Sequence, residues 1–140
     1  MGEITLWASG VHPRLNNPGN RGRYGEWLGR KLLRSKGFRV IEKNWRSKLD
    51  RRQEIDVVCR MKEIVVFVEI RARSENASVS GFSSLTRQKK KSLRRSFKLY
   101  LIEADQKPEY YRFDVIEVDL PSMKGKKPQL FHHENVALFG

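Results

Sequence analysis

Two runs of strand-forming residues, "QEIDVVCR" at 53–60 and "IVVFVEIR" at 64–71, are separated only by Met61, Lys62 and Glu63. A parallel pair needs a crossover of a dozen or more residues, so the two runs must form an antiparallel hairpin. Strand side chains alternate between two faces. Ile55, Val57 and Cys59 share one face of the first run, and Ile64, Val66, Val68 and Ile70 share one face of the second. Burying both sets in one core, with a tight turn centred on Lys62 and Glu63, fixes the register. It sets Val58 opposite Phe67, Asp56 opposite Glu69 and Glu54 opposite Arg71.

That register brings two carboxylates face to face. Directly opposed residues hold their Cβ atoms roughly 4.5–5.5 Å apart, and like charges there destabilise a sheet unless something positive joins them. Arg71 or a nearby lysine is one source of positive charge. A divalent cation is a better one: Mg²⁺ is commonly held by one or two carboxylates plus water and phosphate oxygens, and it activates water and stabilises charge on a transferring phosphate. The competing reading is a solvated strand end with ordinary cross-strand pairs, such as Glu54 with Arg71; the pattern alone weighs the two about equally.

Around the hairpin, "GRYGEWLGRKLLRSKGF" (22–38) reads as a helix with Tyr24, Trp27, Leu28 and Leu32 as its apolar stripe and Gly37 as its C-terminal stop. "FRVIEKNWR" (38–46) reads as a strand, 47–52 as a turn and the small, polar 72–84 as a mobile loop. Residues 85–104 read as a second helix with Leu93, Phe97, Tyr100, Leu101 and Ala104 on one face, and 110–120 and 128–134 as closing strands. The order α-β-β-β-α-β-β implies an α/β fold, a mixed sheet of four to five strands flanked by helices. Residues 1–19 read as a flexible N-terminal arm and 20–140 as one domain.

Charge narrows the partner. Twenty-nine Lys and Arg against 16 Asp and Glu give a net charge of +13, which favours a polyanion, nucleic acid before an anionic membrane. No apolar run is long enough to span a bilayer, and no signal peptide is recognisable at the N-terminus, so the expected location is the cytoplasm. The single cysteine, Cys59, lies in the strand-like "IDVVC" and reads as a small core residue.

On the second helix Lys89 falls in line with Leu93 and Phe97, placed either to snorkel into water or to meet the charged end of the sheet. Lys91, Arg94, Arg95 and Lys98 point away from the stripe and read as a nucleic-acid surface, to which Arg73, Arg87 and Lys90 are added. Glu26 lies off the apolar stripe of the first helix, on the side shared with Gly22, Gly29 and Arg30. His132 and His133 point to opposite faces and receive no role, and Asp105, Asp114 and Asp119 have no partner that the pattern places.

These segments in order ("GRYGEWLGRKLLRSKGFRVIEKNWR", "QEIDVV", "VFVEIRAR", "LTRQKKKSLRRSFKLYL", "RFDVIEV") resemble the YraN-type bacterial family over about residues 20–120. That family is classed with the PD-(D/E)XK nuclease superfamily, near Holliday-junction-resolvase-like proteins. The resemblance implies a restriction-endonuclease-like core and Mg²⁺- or Mn²⁺-dependent hydrolysis of DNA phosphodiester bonds, with branched or junction DNA as one substrate class and a homodimer as one assembly. Residue by residue it implies Asp56 and Glu69 as metal ligands, with Glu26 completing the site from the helix. Glu54 matches the glutamate of the family's "GEID" motif, and Lys89 a recurrent lysine at the start of the following helix. The chain departs from the pattern at Gln53, where glycine is usual, and at Arg71, where the superfamily has lysine. Arginine stays protonated and cannot act as a base, although it can still place positive charge by a phosphate; Lys89 is the residue placed to compensate. The expected catalytic set is Asp56, Glu69, Arg71, Lys89 and Glu26. The alternatives are a non-catalytic nucleic-acid-binding protein on a nuclease-like fold and, third, a basic adaptor for an acidic protein or membrane.

Overall fold

The computed structural model describes residues 18–74, 82, 84–105, 107–121 and 125–138. Residues 1–17 of the expected 1–19 arm and 75–81 and 83 of the expected 72–84 loop lie outside them; residues 18–19 instead begin a helix and 72–74 continue a strand. Helix α1 spans Pro18–Ser35, and strands β1 (Arg39–Arg46), β2 (Glu54–Met61) and β3 (Ile64–Ser74) follow. Helix α2 is Arg87–Glu103, and β4 (Tyr110–Leu120) and β5 (Gln129–His133) close the chain. The five strands form one sheet in the order β1-β2-β3-β4-β5. Only β3 and β4 run parallel, joined by the α2 crossover; the other pairs are antiparallel. The fold is thus the expected mixed sheet flanked by helices.

Each helix covers one face of the sheet. Under α1, Tyr24 and Leu33 bury against Val57, Cys59, Val66, Val68, Ile116 and Val118. Under α2, Leu93, Phe97 and Tyr100 bury against Val58, Val65, Phe67, Phe113 and Val115. The rings of Phe67 and Phe97 stack with centroids 4.3 Å apart. The hairpin register is the expected one where the ladder is intact: Val58 pairs with Phe67, Cys59 with Val66, and Met61 with Ile64 across the turn.

Two details differ from the sequence pattern. Ile55 packs on the α2 side with Val58 rather than with Val57 and Cys59, because the β2–β3 ladder ends at Val57↔Val68 and the start of β2, paired there only with β1 beside the left-handed Asn44, turns out of strict alternation. The buried side of α1 is also rotated from the expected stripe. Trp27, Leu28 and Leu32 are only partly buried, whereas Gly25, Gly29 and Leu33 face inward. Glycine causes this. A Cβ on Gly25 would lie 2.6 Å from Ala72 Cβ, and one on Gly29 would lie 2.6 Å from Ile70 Cδ1. Without side chains at those positions the helix backbone rests directly on β3 and carries its neighbours Glu26 and Arg30 to the strand end.

Candidate functional site

Beyond Val57 and Val68 the hairpin strands stop exchanging backbone hydrogen bonds, and side chains take over. Asp56 Oδ2 accepts a 2.8 Å bond from the Ile70 amide, in place of a ladder bond. The Asp56 carboxyl also faces the Glu69 side chain within hydrogen-bonding reach, a contact that favours its protonated form. Burial, the Glu69 charge and that contact push the Asp56 carboxyl well above its ordinary range, with Glu26 adding to the rise and the Ile70 amide opposing it. Glu69 is itself buried, and its Oε2 lacks any hydrogen-bond partner.

Lys89 reaches this site rather than turning to water: its Nζ lies 3.4 Å from Glu69 Oε2. Thr86 makes this possible by capping α2, its Oγ1 accepting from the Lys89 amide at 3.1 Å, which starts the helix with Lys89 in its first turn. Arg71 behaves differently from either sequence reading. It does not pair with Glu54, which takes Arg46 at 2.6 Å instead. Its guanidinium donates to Ser84, from Nη2 to Oγ at 2.7 Å and from Nε to Oγ at 3.2 Å, so Arg71 is fixed at the rim of the site.

Glu26 enters from α1. Burial raises its carboxyl above the ordinary range, against the opposing pull of Arg30 and a hydrogen bond from the Asn44 side chain. Asn44 stands in the left-handed region at φ 50°, a conformation asparagine tolerates better than most residues. Its neighbours on β1, Lys43 and Trp45, pair with Val57 and Ile55, so this kink sits opposite Asp56. Arg30 is only 6% exposed and feels the charges of Glu26, Arg34 and Asp56. Sequence reasoning missed Asn44 and Arg30 as site residues; the signals were an asparagine in a strand run and an arginine one turn after Glu26 on the glycine side.

The donor set suits a hard cation. Asp56 and Glu69 offer only oxygen, the ligand type Mg²⁺ and Mn²⁺ take, and the buried Glu69 Oε2 makes no hydrogen bond and has the Lys89 ammonium 3.4 Å away. Glu26 forms no trio with them in which all ligand atoms lie within 4.8 Å of one another. Among the described residues the one trio with ligand atoms within 4.8 Å of one another is Asp114, His132 and Glu134.

That trio is already satisfied by protein. Asp114, fully buried, accepts 2.9 Å bonds from Arg112 Nε and Nη2, 2.8 Å from His132 Nε2 and 3.0 Å from the Asn135 amide. Lys36 Nζ, a donor only, lies 2.6 Å from His132 Nδ1, which makes His132 the Nε2–H tautomer. Asp114 and His132 thus have the partners the sequence pattern did not assign, and they tie the end of α1 to β4 and β5. His133 pairs with Glu117 at 2.6 Å.

The nucleic-acid candidates divide by position. Lys91, Arg94, Arg95 and Lys98 line an open groove of about 590 Å³ along α2. Its wall includes Gln53, whose Oε1 accepts from Ser96 Oγ at 2.8 Å; the residue that departs from the family's glycine anchors α2 to β2. Arg73 lies with Arg71 and Glu26 around a smaller pocket at the end of β3. Arg87 and Lys90 line neither.

The family model described as "Uncharacterised protein family UPF0102" matches residues 25–118. A UPF0102 protein of Desulfitobacterium hafniense is 36% identical over 110 residues, 78% of this chain and 88% of its own length. One from Alkaliphilus oremlandii is 34% identical over 116 residues, 81% and 94% of the two chains. One from Chlorobium limicola is 30% identical over 120 residues, 86% and 91%.

Proposed function

The chain belongs to the UPF0102 family, and we propose that it is a metal-dependent endonuclease acting on DNA phosphodiester bonds. One observation carries this reading: Asp56 and the buried Glu69 carboxylate meet where the hairpin ladder opens, and Glu69 Oε2 has no hydrogen bond beyond the Lys89 ammonium 3.4 Å away. Folding gains nothing from such a pair, whereas a cation-binding site requires it.

Asp56 and Glu69 would hold one Mg²⁺ or Mn²⁺, which when bound supplies Lewis acidity to a phosphoryl oxygen and a more acidic water. The Ile70 amide fixes the Asp56 carboxylate, and Lys89, paired with Glu69, would bring an ammonium to a phosphate bound at that carboxylate. Arg71, braced by Ser84, contributes fixed positive charge and takes no proton. The α2 groove, with four cations on its wall, would hold the flanking backbone phosphates.

The test is incubation with linear, nicked, flapped and four-way-junction DNA in Mg²⁺, Mn²⁺ or EDTA. Cleavage that needs the metal and is lost in both Asp56→Asn and Glu69→Gln is the expected result. DNA binding with a steep salt dependence but no cleavage under any condition would replace the enzyme with a non-catalytic binding protein. Absence of both at low salt would end either reading.

A further inference from the structure

The strand register lays out the α2 side of the sheet, beyond the start of that helix, as a grid. Glu69, Val115 and His133 stand in one row across β3, β4 and β5, and Arg71, Glu117 and Phe131 stand in the next. Ile70, Ile116 and Leu130 belong to the core under α1, so Arg71, Glu117 and Phe131 share the face of Glu69 and Lys89. Neighbouring strands lie about 4.8 Å apart, which puts the Phe131 backbone about 10 Å from that of Arg71 and about 12 Å from that of Glu69. Phe131 is 46% exposed. The other exposed large apolar side chains among the described residues stand elsewhere: Leu49 between β1 and β2, Ile102 at the end of α2, Tyr110 and Tyr111 at the start of β4.

We propose that Phe131 is a stacking platform for an unpaired base of the bound DNA, on the nucleotide next to the phosphate at Asp56 and Glu69. This rests on the DNA-directed reading above. The two flanks of the site differ in chemistry. On the β2 side, the α2 groove carries Lys91, Arg94, Arg95 and Lys98 on its wall and no aromatic residue, which suits the phosphates of a duplex. On the β5 side, the grid places its cations, Arg71 and Arg73, on β3 and two acids, Glu117 and Asp119, on β4. Glu117 is buried, with His133 Nε2 2.6 Å from its carboxylate. Acids in that row repel a phosphate. A strand leaving the site toward β5 therefore keeps its phosphate on the arginines and turns a base outward over β4, where the Phe131 ring is the next surface. A base inside a duplex has both faces covered, so the one that stacks there is unpaired. The platform is fixed in place: two residues along β5, His133 is tied to Glu117 and packs its ring on Phe82, centroids 4.4 Å apart.

The experiment measures binding of a single-stranded oligonucleotide and of the blunt duplex of the same sequence in EDTA, where neither metal nor cleavage enters. Phe131→Ala should weaken single-strand binding about tenfold and duplex binding less than about twofold, and Phe131→Trp should keep the wild-type affinity for both. The emission that Phe131→Trp adds should be quenched by the single strand and not by the duplex. An equal loss on both DNAs, no loss on either, or added emission that the single strand leaves unchanged refutes the proposal. So does a wild-type dimer that Phe131→Ala converts to monomer in sedimentation, which would assign the ring to an interface between copies. The outcomes separate this subsite from the reading it rests on. Selective single-strand loss in a protein that never cleaves sinks the endonuclease and leaves the platform. Metal-dependent cleavage with no selective loss sinks the platform alone, and a wild-type protein that binds neither DNA sinks both.

Discussion

A site built from facing carboxylates should cost stability, and Asp56→Asn should recover it. Two unit charges about 4.5 Å apart at an effective dielectric of about 20 repel by roughly 4 kcal/mol. Lys89, partly exposed and 3.4 Å from Glu69, returns some of this, as does the hydrogen bond from the Ile70 amide, so the net cost is about 2 kcal/mol. Asparagine keeps an acceptor for Ile70 and gives Glu69 a donor in place of a charge. Urea unfolding in EDTA at pH 7.5 should therefore find Asp56→Asn more stable than wild type by about 2 kcal/mol, with an unchanged m value. The pH dependence follows from the raised native carboxyl. Below the ordinary aspartate range both states hold the proton and the wild-type protein bears no penalty. As pH rises from about 4 through the raised native value, the unfolded chain ionises first, so wild-type stability falls and the gap to the variant opens, then stays level. Saturating Mn²⁺ should close it by stabilising only the wild type, by about 2.7 kcal/mol at a hundredfold excess over Kd. A variant that is less stable in EDTA, with a gap flat in pH, would make Asp56 an ordinary structural acceptor and refute the argument.

Gly22, Gly25 and Gly29 of α1 should respond to alanine in opposite directions. Gly22→Ala meets nothing within 4 Å and should stabilise by about 0.5–1 kcal/mol through helix propensity; Gly25→Ala, 2.6 Å from Ala72 Cβ, should destabilise by about 1–3 kcal/mol because neither methyl can swing aside, whereas Gly29→Ala meets the flexible end of Ile70 and should cost less. Thermal melts of the three variants check the order, and a stabilised Gly25→Ala would contradict the close docking of α1. Asp114→Asn should cost about 3 kcal/mol at pH 7. Burial pushes that carboxyl up, but the bonds from His132 and Arg112 outweigh it and hold it below its ordinary range, so the deficit should shrink as pH falls through the depressed value and the wild type loses the same interaction. Urea midpoints across that range measure it.

The hairpin was legible because three residues between two strand runs leave one topology, and alternation then fixed the register as far as Val57 and Val68. Alternation also put Asp56 and Glu69 together, and helical periodicity put Lys89 on the side that reaches them. What stayed hidden depended on groups without a periodic signal. The stripe rule located α1 by its large apolar residues, yet the helix docks through Gly25 and Gly29, which carry no hydropathy to count. Arg30 and Asn44 were hidden with it, since their burial depends on how closely that helix approaches. Asp114 was hidden because its partners come from β4 and from the turn after β5, a pairing that needs the sheet order in hand.

Arg71 changes meaning once its partner is known. As a free guanidinium it would compete for Glu69; bonded through two nitrogens to Ser84, it is held at the rim and leaves Glu69 Oε2 facing Lys89 at 3.4 Å. The two cations are therefore not interchangeable. An ammonium can give up a proton and a guanidinium cannot, so under the proposed function any base supplied by a cationic side chain would fall to Lys89, and Arg71 would be left with phosphate charge alone. Under the proposed function, the lysine-to-arginine departure would place the proton-handling group on the first turn of α2 rather than on the strand. It also explains why the position of that turn matters: Thr86 starts the helix one residue before Arg87, and a start one residue later would rotate Lys89 by about 100° away from the pair.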